Sequence, residues 1–244
     1  FRVSFAASTV NNISGLGGLT GASIRSIFFR KELKDKEEII DYNLLLIPAT
    51  AVGLGVMAVI SLIEYRYIFP IIREYRVLLL ALIGFSIYLI LYFFIDMIFY
   101  RFKKIERIQF NPKRIMVKLK LLIASTIEWI FGYIMFLIIL KLFSKDVNIY
   151  GIMGIFTLAS IAGIVSMLPG GVGSFDLVVL LGLQDIGVPL KNIIASLILY
   201  RFFYYILPLI LGVVFTLLFQ IKDKNNSRDI FHMEKFQGVV NRTS

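Results

Sequence analysis

The sequence predicts an all-α polytopic membrane protein with about four full spans and additional re-entrant broken helices. Hydrophobic residues make up 58% of the 244 residues, above the roughly half-apolar composition of soluble domains, and the mean hydropathy is +0.83. Four apolar runs reach the length of about 20 residues that a helix needs to cross the hydrocarbon core. The net charge of +10 lies mainly between these runs, where it orients the chain and contacts lipid headgroups. No motif typical of nucleic-acid binding accompanies it.

The four predicted spans alternate with charged connections. The spans lie at 43–63, 77–100, 118–143 and 192–220. The connection "RFKKIERIQFNPKRIMVKLK" at 101–120 carries eight basic residues and one acidic residue, Glu106. Because cytoplasmic loops carry an excess of lysine and arginine, we expect this connection to lie inside.

The remaining connections follow from that assignment. The external connections are 64–76 and 144–148, and the internal ones are 30–41 and the polar tail at 222–244. We therefore expect residues 1–221 to form one transmembrane domain, followed by a cytoplasmic tail or linker.

The segment 149–190 is expected to enter the membrane and return on the same side. It begins outside, and it must also end outside because the span at 192–220 has to run inward to the internal tail. Its apolar parts, 149–168 and 175–183, are long enough to enter deeply. Non-helical backbone is tolerated at membrane depth only where protein or a wet cavity covers it. The break between the two apolar parts therefore predicts a buried or water-lined turn.

That break reads "SMLPGGVGSFD" at 166–176. The turn is expected to consist of its helix-breaking residues, Pro169, Gly170, Gly171 and Gly173. Ser174 is the predicted N-cap of the returning half-helix. Asp176 is expected in the first turn of that half-helix, where the positive end of the helix dipole favours an acid.

A second glycine-rich stretch, "NNISGLGGLTGASIR" at 11–25, resembles the first. Its "GGLTGAS" at 17–23 aligns loosely with "GGVGS" at 170–174. Broken segments in both halves of a membrane protein are typical of inverted repeats with a binding site at the midplane. The alternative is close helix packing, since Gly17 and Gly21 have the small-residue spacing of transmembrane contacts.

Two ionisable residues are predicted near the midplane. Glu128 lies about 15 Å into the span that starts at 118, and Arg201 lies about 14 Å into the span at 192–220. A charge at that depth needs a partner, so we expect the two to meet. They form either a structural ion pair, or a site in which Arg201 receives a phosphate and Glu128 positions it or binds a cation. The tyrosines on the same helix as Arg201 are interpreted mainly as aromatic packing: Tyr200, Tyr204 and Tyr205.

Several chemistries are excluded by composition and spacing. The chain has no cysteine and a single histidine, His232, in the polar tail, which excludes disulfides, His/Cys metal sites and a Ser-His-acid triad. There is no phosphate loop, and "GLGGLTG" lacks the G-x-G-x-x-G spacing. We expect no cofactor, no metal and no catalytic site in this chain.

The stretches "NNISGLGGLTGASIR", "MLPGGVGSFD" and "LYRFFYYILPLILG", in this order, resemble the transmembrane region of the bacterial multiple peptide resistance factor family. These are lysylphosphatidylglycerol synthases and flippases, and the resemblance covers residues 1–221. It implies a multi-pass domain of the bacterial cell membrane that moves aminoacylated phosphatidylglycerol from the inner to the outer leaflet. The outcome would be resistance to cationic antimicrobial peptides.

The resemblance also implies partners. The chain opens on Phe1 without a methionine, so we expect a piece of a longer protein. Aminoacyl transfer from tRNA would belong to a C-terminal synthase domain of that protein, beyond the tail. The expected partners are the membrane, the phospholipid and that domain, with no nucleic acid bound by this part. The oligomeric state is left open, with a homo-oligomer as one alternative.

The substrate implied by the resemblance carries a phosphate and two amines, so its site needs a cation, an acid and backbone N–H groups. The cation would be Arg25 or Arg201, and the acid Asp176 or Glu128. The candidate lipid-binding residues are Gly17, Gly18, Arg25, Glu128, Gly170, Gly171, Gly173, Ser174, Asp176 and Arg201. Two alternatives stay open. One is a carrier of another anionic lipid such as a polyprenyl phosphate, and the other is a non-transporting anchor for the lysyltransferase.

Overall fold

The computed structural model describes residues 36–64, 66, 68–103, 112–211 and 214. Every regular element in this part is helical, as predicted. The α-helices in chain order are α1 (Lys36–Ile63), α2 (Phe69–Glu74), α3 (Arg76–Lys103), α4 (Pro112–Phe143), α5 (Ile149–Val165), α6 (Ser174–Asp185) and α7 (Leu190–Arg201). A short 3-10 turn at Pro169–Gly171 precedes α6, and a π-helical turn at Phe202–Ile206 continues α7.

Four helices are long and apolar enough to cross a membrane, which confirms the predicted number of spans. They are Leu45–Ile63, Arg76–Ile95, Lys113–Phe143 and Leu190–Leu211. The third begins before the predicted residue 118. Pro112 opens α4 at a position where a proline costs no helical hydrogen bond, so the basic residues that follow lie on the helix and not in a loop.

The predicted hairpin at 149–190 is a helix, a turn and a helix that pack against one another. Asn148 caps α5 through its side-chain oxygen, which accepts hydrogen bonds from the N–H groups of Tyr150 and Gly151. At the other end, the Asn192 amide donates to the Phe143 carbonyl at 2.7 Å. Because α5 starts shortly after Phe143, both ends of the hairpin lie at one end of the bundle. Which side of the membrane that end faces stays a prediction.

Helix α5 forms the centre of the core. Its residues from Gly151 to Ile161 are almost all buried, and it packs on α1, α3, α4 and α6. Gly154 gives room for Ile68, the buried residue before α2, whose side chain lies where a β-carbon would be. The short helix α2 is thereby fixed over the hairpin.

Helix α1 is held where Pro48 interrupts its hydrogen bonding. The Tyr88 hydroxyl donates to the Pro48 carbonyl at 2.8 Å, and the Trp129 indole donates to the Thr50 carbonyl at 3.1 Å. The Gly53 N–H donates to the Ser125 hydroxyl at 3.0 Å. Side chains of α3 and α4 thus hold α1 in place around Pro48.

The N-terminal glycine-rich stretch lies outside the described residues. The assignments of Gly17, Gly18 and Arg25, and the proposed inverted repeat, therefore stay predictions.

Candidate functional site

The centre of the candidate site is an ion pair between α6 and α7. The Arg201 Nε donates to Asp176 Oδ1 at 2.9 Å, and its NH2 group donates to Oδ2 at 2.7 Å. The two side chains are 21% and 27% exposed. This two-point geometry fixes the relative orientation of both groups, which a single contact would not do.

Further hydrogen bonds connect the pair to the turn before α6. Asp176 Oδ2 also accepts from the Gly173 N–H at 3.0 Å, and Arg201 NH1 donates to the Gly170 carbonyl at 3.3 Å. Both oxygens of the carboxylate are therefore engaged within the protein. The pair thus joins α7, the glycine turn and the start of α6.

The turn requires its glycines for two different reasons. Gly170, Gly171 and Gly173 have φ values of 61°, 62° and 89°, a region that side chains with a β-carbon rarely adopt. At Gly171 a β-carbon would also lie 3.0 Å from the Gly163 α-carbon. At Gly173 there is open space around that position, so only the backbone conformation demands glycine there.

Ser174 does not have its predicted role. It is the first residue of α6, and the N-cap position belongs to Gly173. The positive φ of that position favours glycine, and the Asp176 carboxylate accepts a hydrogen bond from the N–H of this cap residue. The Ser174 hydroxyl donates to the Gly171 carbonyl at 3.1 Å and lies 2.8 Å from the Ser166 hydroxyl, so it closes the turn. Asp176 lies in the first helical turn, as predicted.

The turn lies at membrane depth. Arg201 is about 11 residues, or about 16 Å, beyond the start of α7 at Leu190. In a hydrocarbon core of about 30 Å this is near the middle. Since Arg201 contacts both Gly170 and Asp176, the break in the hairpin reaches the same depth.

The predicted partner of Arg201 was wrong: Arg201 pairs with Asp176 and not with Glu128. Glu128 is an exposed residue of α4. It lies one helical turn before Gly132, against which the Tyr204 ring packs. The sequence predicted only Glu128 at the depth of Arg201, and the packing of α6 beside α7 brings Asp176 to Arg201.

Aromatic rings pack next to the Arg201–Asp176 pair. Tyr200 is 3% exposed and stacks on Phe175 at 5.6 Å and on Tyr204 at 5.2 Å between ring centroids. The Arg201 guanidinium lies 5.6 Å from the centroid of the Tyr205 ring. The predicted aromatic stripe is thus confirmed. The π-helical turn at Phe202–Ile206, which contains Tyr204 and Tyr205, had no recognisable signal in the sequence.

The predicted position of Lys118 was also wrong. It was counted among the basic residues of a cytoplasmic connection, yet it lies in α4 and is 1% exposed. Its ammonium donates to the Tyr92 carbonyl at 2.8 Å and lies 5.1 Å from the centroid of the Tyr92 ring. Hydrogen bonding and the aromatic face compensate the buried charge.

Comparisons with known proteins show which family the chain resembles. The family model described as the lysylphosphatidylglycerol synthase TM region matches residues 1–212. The phosphatidylglycerol lysyltransferase of Bacillus subtilis (strain 168) is 32% identical over 216 residues, which is 88% of this chain and 25% of the relative. The enzyme of the same name from Staphylococcus haemolyticus (strain JCSC1435) is 28% identical over 214 residues, 88% of this chain and 24% of the relative.

A third relative of that name, from Staphylococcus aureus (strain COL), is 28% identical over 214 residues, 87% of this chain and 24% of the relative. The chain thus spans about a quarter of the length of these curated relatives. No solved structure shows a significant match to it.

Proposed function

The chain belongs to the family of lysylphosphatidylglycerol synthase transmembrane regions, and on that premise we propose that it moves lysyl-phosphatidylglycerol from the inner to the outer leaflet of the bacterial cell membrane. It is a multi-pass membrane protein with four helices that can cross the bilayer. Lysyl transfer, which the names of the relatives describe, is proposed to belong to a C-terminal synthase domain of a longer protein. Resistance to cationic antimicrobial peptides would follow from the altered charge of the outer leaflet.

The observation that carries this proposal is the Arg201–Asp176 pair at a glycine turn in mid-membrane. Within the described part of the chain, three hydrogen bonds engage the Arg201 guanidinium, which carries five N–H groups. Two N–H groups therefore remain for an anionic oxygen. The positive end of the α6 dipole lies at the same place. A phospholipid phosphate crossing the midplane would find its counter-charge here.

The pair also lowers the cost of keeping an arginine at that depth. A lone charge near the bilayer centre costs at least a few kcal/mol. Asp176 neutralises the guanidinium while no ligand is bound and holds it toward the turn. The remaining N–H groups are thus oriented before a lipid arrives, which reduces the ordering cost of binding.

Two observations each support an alternative function for this chain. Because Arg201 and the Gly173 N–H engage Asp176, an anionic lipid without amines, such as a polyprenyl phosphate, would also satisfy the site. Because the relatives bear the name of a lysyltransferase and this chain matches only about a quarter of their length, the second alternative is a non-transporting anchor. These candidates differ in what they predict for lipid sidedness.

The test is a leaflet-resolved assay in proteoliposomes. Lysyl-phosphatidylglycerol is placed in the inner leaflet, and its arrival outside is followed with an impermeant amine reagent. We expect the chain to accelerate the transfer and Asp176→Asn to slow it at least tenfold. The matched control is Asp185→Asn, an exposed acid at the opposite end of α6, which should transfer like the unmodified chain. Transfer no faster than in protein-free vesicles would overturn the proposal and favour the anchor.

A further inference from the structure

We infer that Glu128 and Tyr204 form an ammonium-binding subsite beside the Arg201–Asp176 pair, which makes the site specific for a lipid with both a phosphate and an amine. This inference rests on the proposed function and names the part of the site that distinguishes the lysyl lipid from unmodified phosphatidylglycerol. The sequence predicts that either Asp176 or Glu128 binds the amine of the lipid. The structure reduces that role, because both Asp176 oxygens already accept hydrogen bonds within the protein.

The position of Tyr204 is set by contacts on three sides. Its ring stacks on Tyr200 with 5.2 Å between centroids and meets Tyr205 edge-on at 4.9 Å. On the third side it lies against α4 at Gly132, where a β-carbon would be 3.4 Å from a ring carbon and 3.8 Å from the hydroxyl. The ring therefore bridges α7 and α4, with its hydroxyl at the surface of α4.

Glu128 lies one helical turn from the point where that hydroxyl meets α4. It precedes Gly132 by four residues in α4, and residues at this spacing share one face of a helix. Its side chain is exposed from the bundle. The acid of α4 and the phenol that follows α7 thus lie on the same side of α4, about one helical turn apart along its axis.

The tyrosine hydroxyls have capacity for a ligand. Across the described residues, neither the Tyr204 hydroxyl nor the Tyr205 hydroxyl makes a hydrogen bond, and both side chains are only half-buried. Tyrosine hydroxyls at depth usually find a partner, because an unpaired one costs free energy. Tyr205 touches both parts of the site, since its ring lies under Arg201 at 5.6 Å and against Tyr204. Ring contacts therefore link Tyr204, through Tyr205, to the Arg201–Asp176 pair.

The chemistry of this subsite matches a primary ammonium. An ammonium is a donor without acceptor capacity, and it binds best to a carboxylate, with hydroxyl oxygens and aromatic rings adding to the attraction. Arg201 offers the opposite preference, for an anionic oxygen. A headgroup with one phosphate and amines on the attached lysyl group would satisfy both ends, whereas phosphatidylglycerol would engage only Arg201.

The test measures binding and does not depend on transport. The chain is placed in lipid nanodiscs, and its affinities for lysyl-phosphatidylglycerol and for phosphatidylglycerol are measured separately. We expect Tyr204→Phe and Glu128→Gln each to lower the affinity for the lysyl lipid roughly tenfold, the range for a hydrogen bond to a charged group. The affinity for phosphatidylglycerol should stay unchanged. Tyr133→Phe is the matched control, because its hydroxyl donates to the Ile149 carbonyl at 2.8 Å, away from this site.

The outcomes separate the alternatives. An unchanged ratio of the two affinities in both variants would overturn the subsite, and so would an equal loss for both lipids. If Tyr204→Phe does not fold, Glu128→Gln decides the question, because its exposed side chain is not part of the core. A chain that prefers the lysyl lipid but fails to move it would refute the proposed transport and leave the subsite standing.

Discussion

The guanidinium of Arg201 and the carboxylate of Asp176 bind each other side by side, through hydrogen bonds of 2.9 and 2.7 Å that join residues 25 apart in sequence. One group lies on α7 and the other on the first turn of α6. The pair therefore closes the hairpin onto a membrane span. Its two members should act as one unit in stability as well as in lipid binding.

The first prediction concerns that coupling. Arg201→Gln or Asp176→Asn alone leaves a charge at depth without its partner, whereas the double variant removes both charges. We expect each single variant to be less stable than the double variant, with an interaction free energy of about 1–3 kcal/mol. Thermal unfolding of the four proteins in detergent measures it. Additive changes would show that the two groups are energetically independent.

The second prediction separates the two reasons for glycine in the turn. Gly171→Ala introduces both an unfavourable φ and a contact at 3.0 Å with the Gly163 α-carbon, whereas Gly173→Ala introduces only the unfavourable φ. Holding a residue with a β-carbon in such a sparsely populated backbone region costs about 1–3 kcal/mol. We expect Gly173→Ala to lose about that much and Gly171→Ala to lose more, as measured by unfolding midpoints. Equal losses would mean that α5 moves away from the turn at little cost.

The third prediction tests which side of the membrane the hairpin ends face. The chain contains no cysteine, so single cysteines can be introduced at exposed positions. Lys145 precedes α5 and Gln184 lies near the end of α6. Cysteines at both should react with an impermeant reagent from outside the cell. Reaction from opposite sides would make the hairpin an ordinary crossing.

The spans could be predicted from sequence because they depend on length and apolar content alone. The run at 192–220 and the helix from Leu190 overlap closely for this reason. The hairpin at 149–190 could be predicted by following the chain across the membrane, because a segment that starts and ends on the same side must turn back. Boundaries were less accurate where charged residues lie on a helix. The α4 residues before 118 are an example, because a helix that spans the membrane can continue past the apolar run that predicts it.

The pairing within the site could not be predicted in the same way. Asp176 and Glu128 lie at similar depth, and the choice between them depends on how α6 rotates against α7. Phe175 of α6 stacks on Tyr200 of α7, and the approach of Gly171 to Gly163 places the turn against α5. Such contacts between distant residues leave no periodic pattern in the sequence. Lys118 was misplaced for a related reason, since the Tyr92 carbonyl that compensates its charge is 26 residues away.

The last prediction tests the position of Tyr204 without altering either polar group of the ammonium subsite. At Gly132 a β-carbon would lie 3.4 Å from the Tyr204 ring and 3.6 Å from the Phe156 ring, which is ordinary contact distance. Gly132→Ala should therefore keep the preference for lysyl-phosphatidylglycerol, and it should stabilise α4 by up to about 1 kcal/mol, because glycine is a poor helix former. Gly132→Leu places a branched side chain where the ring lies, and it must displace Tyr204 from Glu128. We expect this variant to lose most of the lipid preference in nanodiscs while Arg201 still binds the phosphate of both lipids. A leucine variant that keeps the preference of the alanine variant would show that the ring need not touch α4, and the amine would then be recognised elsewhere.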